Sequence, residues 1–271
     1  MAQGGKRTGW VRPKRSLGQN FLIDANVARR IVSRLHVQPG EQVVEIGPGQ
    51  GALTAILDQA GVHLLAVEKD QDLAVDLKAR MPGVQVMVAD ALNLDWSRLW
   101  PGRSWKMIGN LPYNVASPLI WNIASTATVV THMVFTVQRE VGQRLVAQPG
   151  GKIYGALSVW VQSFFRPQLE FVLRPSVFRP QPKVDSAVVS MRALSHPPNP
   201  EDQKALSRVL RICFQHRRKQ LKTLLRPYWQ TGVQAWFAQQ GIDPSARPET
   251  LTPNQFLSLA RRLIALGTLD N

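Results

Sequence analysis

The stretch Val43-Val44-Glu45-Ile46-Gly47-Pro48-Gly49-Gln50-Gly51 decides how the chain folds. Val43 to Ile46 reads as a short buried strand. The helical pattern of Ala52 to Ala60 begins directly after the last glycine. Strand, glycine loop and helix in that order place a ligand at the helix N-terminus, as in nucleotide-binding α/β folds. The glycines let the backbone come close to that ligand. Their spacing is G-x-G-x-G, not the G-x-G-x-x-G of dinucleotide enzymes. That shift favours S-adenosylmethionine, which has no pyrophosphate to cradle.

Downstream, His63 to Val67 reads as a second strand ending in Glu68, and an acidic side chain about 20 residues after the first glycine is where a ribose diol is gripped. A helix over Asp70 to Arg80 and a third strand over Val84 to Val88 follow. Asp90, just past that strand, either meets the adenine of the cofactor or caps a short helix. The strand Trp105 to Gly109 then runs into Asn110-Leu111-Pro112-Tyr113. This tetrad suits methyl transfer to an exocyclic amine, a poor nucleophile whose lone pair is delocalised into its ring. The Asn110 side-chain oxygen and the Leu111 carbonyl can each accept one amine hydrogen. Pro112 stiffens the turn, and Tyr113 offers a face for a base. Without the glycine loop upstream, the tetrad would read as an ordinary proline turn after a strand.

The remaining pattern predicts helices over Ser117 to Ser125, Arg139 to Val146 and Gly155 to Phe164, and strands over His132 to Val137, Gln168 to Leu173 and Asp185 to Arg192. Alternating βα units followed by a late hairpin describe an α/β fold with a mostly parallel sheet and an antiparallel edge. Between the last two strands, Phe178-Arg179-Pro180-Gln181-Pro182-Lys183-Val184 is a stiff loop. Phe178 either covers the second face of a base stacked on Tyr113 or anchors the loop to the core. At the other end, Asn20-Phe21-Leu22 precedes a helix capped by Asp24 with Val27, Ile31 and Leu35 on one face. That segment forms either a lid over the cofactor or a hydrophobic staple; spacing does not choose between them.

Residues 1–15 are expected to be a flexible basic arm, 16–194 a Rossmann-like methyltransferase domain, 195–200 a linker and 201–271 a small basic all-helical domain. In the last segment Leu206, Val209, Leu210, Cys213 and Phe214 make an apolar stripe, with Arg208, Arg211, Arg217, Arg218, Lys219 and Lys222 at other positions. Thr252, Pro253 and Gln255 form a capping box for a final helix.

Composition narrows the classes. At 44% hydrophobic and 19% charged residues the chain can build an ordinary core. Yet 33 Lys+Arg against 18 Asp+Glu leave +15, which implies a polyanionic partner, nucleic acid before membrane. A single cysteine, Cys213, rules out an internal disulfide framework and suits the core. No Cys/His spacing fits zinc, no G-x-S-x-G elbow occurs, and no apolar run is long enough to span a membrane. A basic leader could belong to an organellar transit peptide, but serine is scarce in it, so the cytoplasm is the expected compartment.

Together, Gln19-Asn20-Phe21-Leu22, the stretch Glu45 to Thr54, Asn110-Leu111-Pro112-Tyr113-Asn114 and Phe178 to Val184 resemble the ribosomal RNA adenine dimethyltransferases, over essentially the whole chain after the arm. The bacterial small-subunit type is the nearest fit, since Arg217-Arg218-Lys219 matches its C-terminal domain. The resemblance implies a class I S-adenosylmethionine-dependent methyltransferase fold. It also implies dimethylation of N6 on two adjacent adenosines near the 3′ end of 16S rRNA, within the pre-30S particle and by a monomer. It places Asn20, Leu22, Gly47, Glu68, Asp90 and Asn110 at the cofactor, with Glu45, Gly49 and Gly51 of the same stretch counted beside them. Asn110, Leu111, Pro112, Tyr113 and Phe178 would serve the target base. Lys14, Arg15, Arg211, Arg217, Arg218, Lys219 and Lys222 would hold RNA, and no metal is implied. Lys69 departs from the usual aliphatic residue, Ala116 from a common Ser, and Thr223 from the Asn that often follows the Arg-Arg-Lys run. The alternatives are a large-subunit adenine methyltransferase of the resistance type, a DNA N6-adenine methyltransferase, and a non-catalytic assembly factor that keeps the fold. The basic C-terminal run argues against the first, the roughly 70 residues left for target reading against the second, and intact Glu68 and Asn110 against the third.

Overall fold

The computed structural model describes residues 12–14, 17–98 and 102–269. In chain order the elements are β1 (Phe21–Leu22), α1 (Ala25–Ser33), β2 (Gln42–Ile46), α2 (Thr54–Gln59), β3 (His63–Glu68), α3 (Gln71–Arg80), β4 (Gln85–Val88), β5 (Trp105–Asn110), α4 (Ala116–Thr126), β6 (Val130–Gln138), α5 (Arg139–Leu145) and α6 (Ala156–Phe164). They continue with β7 (Phe165–Leu173), β8 (Phe178–Arg179), β9 (Ser186–Ala193), α7 (Pro200–Gln215), α8 (Leu221–Leu224), α9 (Thr231–Gln239) and α10 (Pro253–Ala265). A seven-stranded sheet has the order β4-β3-β2-β5-β6-β9-β7, mostly parallel with an antiparallel edge. The strands β4, β3, β2, β5 and β6 pair in parallel. Ligands bind outside the carboxyl ends of such strands, and here those ends carry Asp90, Glu68, Gly47 and Asn110 side by side.

The core explains why these segments take these forms. Val43, Val44 and Ile108 are fully buried in strands covered on both faces, as continuous apolar runs in a parallel sheet should be. Asp24 caps α1 by accepting from the amides of Asn26 and Val27, which turns Ile31 and Val32 into the core. The segment Asn20-Phe21-Leu22 is neither a free lid nor merely a staple. Phe21 and Leu22 pair antiparallel with Arg179 and Phe178, making a separate two-stranded ribbon. Leu22 and Phe178 both sit in the hydrophobic core.

The chain divides into two compact units, one from Met1–Gly142 with Leu169–Met191, the other from Gln143–Gln168 with Arg192–Asn271. The helical unit therefore takes in residues ahead of the linker, where the sequence reading began it at Glu201. The reason is α6: Leu157, Val159, Trp160, Val161 and Phe164 are all buried, so this short helix needs cover on several sides. It packs against α7 and α10. Within this unit, the Tyr154 hydroxyl donates to the Leu251 carbonyl at 2.9 Å. Arg261 grips the Asp202 carboxylate through Nε and Nη2, the shortest contact being 2.7 Å. The capping box at α10 forms as its sequence predicts, with Thr252 and Gln255 each bonding the other's amide. Cys213 is fully buried. No helix among the described residues is long and apolar enough to cross a membrane.

Candidate functional site

The site is a cleft of about 130 Å³ at the carboxyl ends of β4, β3, β2 and β5. Its floor is the glycine loop. Gly49 has φ +55°, and a Cβ there would lie 2.9 Å from the Phe21 ring, so both backbone and packing demand glycine. Phe21 thus rests directly on the loop, held there by the β1–β8 ribbon.

Glu68 is buried, and both carboxylate oxygens are engaged. Oε2 accepts from the Gly49 amide at 3.1 Å and Oε1 from the Asp70 amide at 2.8 Å. Burial raises its carboxyl above the usual range, while those two amides pull the other way. It joins the glycine loop to the N-terminus of α3 and lines the cleft. Asp90 accepts from the Lys69 ammonium at 2.8 Å and from the Leu92 amide at 3.1 Å. Lys69 is the main cause that holds the Asp90 carboxyl below its ordinary range.

On the other side stands the Asn110 tetrad. Gly109 just before it lets β5 approach β2, since a Cβ there would lie 2.5 Å from the Ile46 carbonyl oxygen. The Asn110 Nδ2 donates to the Asn20 carbonyl at 2.7 Å. With the nitrogen so committed, Oδ1 is the atom left to accept a hydrogen from whatever enters. Leu111 is buried and anchored by donating its amide to the Thr136 carbonyl at 3.0 Å. Tyr113 is half-buried, and its hydroxyl lies 2.5 Å from Ser186 Oγ. Burial keeps the phenol protonated beyond its usual range.

Several expected residues are elsewhere. Phe178 is 1% exposed in the core, where it holds β1 through the ribbon. Leu22 is likewise core and lines only a minor hollow beside the cleft. Gly51 packs against Leu77 and Met81, supporting the loop from behind. Glu45 is 1% exposed under the loop, where burial above all, with Glu68 nearby, pushes its carboxyl up to about 8 against the pull of Thr54. It lines the same minor hollow as Leu22, together with Gly47, Gly49 and Asn110. The cleft does bring together Asn20, Gly47, Gly49, Glu68, Asp90, Asn110, Leu111, Pro112 and Tyr113. Phe21, Lys69 and Asn114, which the sequence reading quoted without assigning them to the site, also line it. Each adjoins a residue that was singled out, and Phe21 and Asn114 belong to the quoted motifs themselves.

The basic residues differ among themselves. Lys14 bonds Asp70 at 2.6 Å and Asp72 at 2.7 Å, so its charge is already matched within the protein. Gln19 adds a bond to Asp70 at 3.1 Å, and together they tie the N-terminal wall of the cleft to α3. Against the effect of burial, these partners hold the Asp70 carboxyl below its normal range. Arg15 and most of the expected arm lie outside the described residues. Arg217 is exposed, but it donates to the carbonyls of Lys152 and Tyr154, at 3.1 and 2.7 Å, and so is bonded within the helical unit. Arg211, Arg218, Lys219 and Lys222 are exposed. Arg217 to Lys219 sit in the turn after α7, not on a helix. Among the described residues no cluster of His, Cys, Asp and Glu could hold a metal.

The cleft suits an adenosine-bearing ligand. Glu68 and Asp90 offer acceptors for a diol and an amino group, Val67, Leu73 and Leu92 offer apolar walls, and Gly47 and Gly49 offer bare backbone.

Comparison with known proteins agrees with this geometry. Residues 11–265 match the family model described as ribosomal RNA adenine dimethylase. The chain is 51% identical over 253 residues to the ribosomal RNA small subunit methyltransferase A of Nitratidesulfovibrio vulgaris, covering 92% of this chain and 95% of that one. It is 41% identical over 261 residues to the protein of that name from Pseudomonas aeruginosa, covering 94% and 96%. Among solved structures, a dimethyladenosine transferase from Plasmodium falciparum superposes with a TM-score of 0.74 at 22% identity, covering 91% of this chain and 98% of that one. The 23S rRNA methyltransferase ErmE superposes at 0.71 and 23%, covering 90% and 100%. At those identities the two structures bear on the fold alone.

Proposed function

Because this chain belongs to the ribosomal RNA adenine dimethylase family, we propose that it transfers methyl groups from S-adenosylmethionine to N6 of adenosine in small-subunit rRNA, giving N6,N6-dimethyladenosine. The observation that carries this reading is the Asn110 amide. Its nitrogen is held by Asn20, which leaves the oxygen as the acceptor, and Asn110 lines the cleft that Glu68 and Asp90 also line.

Bound S-adenosylmethionine would supply an electrophilic methyl group on a sulfonium. Glu68 would hold the ribose hydroxyls, Asp90 the adenine amino group, and the backbone of Gly47 and Gly49 the amino-acid end. The target base leaves its stack and lies on Tyr113, with stacking worth about 1–3 kcal/mol. Asn110 Oδ1 and the Leu111 carbonyl each accept one N6 hydrogen and aim the lone pair at the methyl carbon. The proton on the methylated nitrogen would then leave to water. No side chain need act as general base, and the acceleration is mostly positioning.

The small-subunit name of the relatives, at 51% and 41% identity, supports that subunit over the large one. The net charge of +15 supports an RNA partner. In this reading the two adjacent adenosines near the 3′ end of 16S rRNA in the pre-30S particle are the targets. The protein works as a cytoplasmic monomer, and Arg211, Arg218, Lys219 and Lys222 hold phosphates. Nucleoside analysis of small-subunit RNA after incubation with protein and S-adenosylmethionine tests this directly.

A further inference from the structure

The stacking residue has a partner that no motif points to. Ser186, the first residue of β9, is fully buried, and its Oγ lies 2.5 Å from the Tyr113 hydroxyl. The strand start is itself fixed from the other side. The Arg139 amide donates to the Asp185 carbonyl at 2.9 Å, and the Arg139 guanidinium reaches the Asp185 carboxylate at 3.4 Å. Tyr113 is therefore held at both ends, by the Asn110 turn at its backbone and by β9 at its phenol oxygen. A bond at the far end of the ring fixes the swing of its long axis, which a turn alone would leave to the first side-chain torsion.

We infer that Ser186 is a positioning residue, which by fixing the Tyr113 ring lets the enzyme carry adenosine past the monomethyl stage to the dimethyl product. The inference rests on the methyl-transfer reading above and goes beyond it. In the first transfer, N6 brings two hydrogens, one for Asn110 Oδ1 and one for the Leu111 carbonyl, and the stack on Tyr113 is a third constraint. After one methylation N6 has a single hydrogen left, so one of those two bonds is gone. The lone pair is then aimed by one hydrogen bond and the ring. Loosening the ring must hurt the second transfer more than the first.

The experiment uses the full-length protein as wild type, Ser186→Ala, Tyr113→Phe and the double variant. Each is incubated with small subunits lacking the modification and S-adenosylmethionine, and mono- and dimethyladenosine are measured through the time course. Both single variants remove the same contact from opposite sides, so either suffices if the other folds poorly. We expect each to raise the peak ratio of monomethyl to dimethyl product about three- to tenfold, the effect of one neutral hydrogen bond. The double variant should match the singles, because the contact can be lost only once. A second readout needs neither RNA nor cofactor. The chain has three tyrosines, so a ¹³Cζ-tyrosine label gives a resolvable signal for Tyr113. That signal should move in Ser186→Ala while those of Tyr154 and Tyr228 stay in place. An unchanged product ratio in both single variants, or a double variant in which their effects multiply, overturns the inference and leaves the methyl-transfer reading standing. Failure of the wild type to make any methyladenosine overturns both.

Discussion

The Asn110 side chain donates from Nδ2 to the Asn20 main-chain oxygen at 2.7 Å, across 90 residues of sequence. That bond decides which atom of the amide meets the substrate, and it depends on the β1–β8 ribbon holding Asn20 in place. Asn110→Asp keeps the shape but sets a carboxylate oxygen against a carbonyl. Asn110→Ala removes the acceptor altogether. Both should lower kcat by about a hundredfold or more, as misplaced reactants do, while RNA affinity stays within about twofold, since the proposed phosphate contacts lie elsewhere. Rapid-quench turnover and filter binding measure the two quantities; a loss of RNA binding that matches the loss of turnover would remove Asn110 from the role assigned to it.

Glu68 predicts a defect of a different kind. Its two oxygens accept from Gly49 and Asp70 amides, and a glutamine has one oxygen and an NH₂ group. In Glu68→Gln one amide would face a donor instead of an acceptor, and the cofactor diol would lose a charged partner. Titration calorimetry should show S-adenosylmethionine binding weakened about ten- to a hundredfold. Unaltered affinity would mean that Glu68 serves the loop and not the ligand.

Glu45 gives the protein a pH-dependent stability. Its carboxyl ionises near 4.5 in an unfolded chain and near 8 in the folded one, chiefly through burial. Between those values the unfolded state releases a proton that the folded state keeps, so the contribution is whole below the lower value and is lost as pH rises through the upper. Glu45→Gln cannot ionise. Its melting temperature relative to wild type should rise from pH 5 to pH 8.5 by at least about 3 °C for a protein of this size. Scanning fluorimetry at the two pH values checks this, and a constant gap between the two proteins would contradict it.

The Arg217-Arg218-Lys219 run should split into two behaviours. Arg217 bonds two carbonyl oxygens in its own unit, so Arg217→Ala should lower the melting temperature by about 2–4 °C, roughly the effect of losing 1 kcal/mol. Replacing Arg218 and Lys219 should leave stability alone and reduce the slope of log affinity for RNA against log salt by about one to two. Equal effects of all three on that slope would show that Arg217 also reaches RNA.

How much of this could be read from sequence follows from the range of the interactions. Gly47, Glu68, Asp90 and Asn110 were legible because adjacent parallel strands bring their carboxyl ends together, and each residue sits at a fixed offset from its own strand. The roles of Phe178 and Leu22 were not legible, because two-residue strands pairing across more than half the chain leave no local pattern. Charge also misleads by itself. Lys14 and Arg217 read like free cations, but one is matched by Asp70 and Asp72 and the other by backbone carbonyls. Nor does a helix pattern say which unit will cover it, which is why α6 joins the C-terminal helices despite preceding the linker.

The most direct test mixes the protein with labelled S-adenosylmethionine and small subunits lacking the modification, with purified large-subunit RNA treated in parallel. The RNA is then digested and its nucleosides identified by mass spectrometry. Dimethyladenosine from the small-subunit RNA alone is the result expected, absent with Asn110→Ala. Label confined to the large-subunit RNA, or binding without label in either, would contradict the assignment.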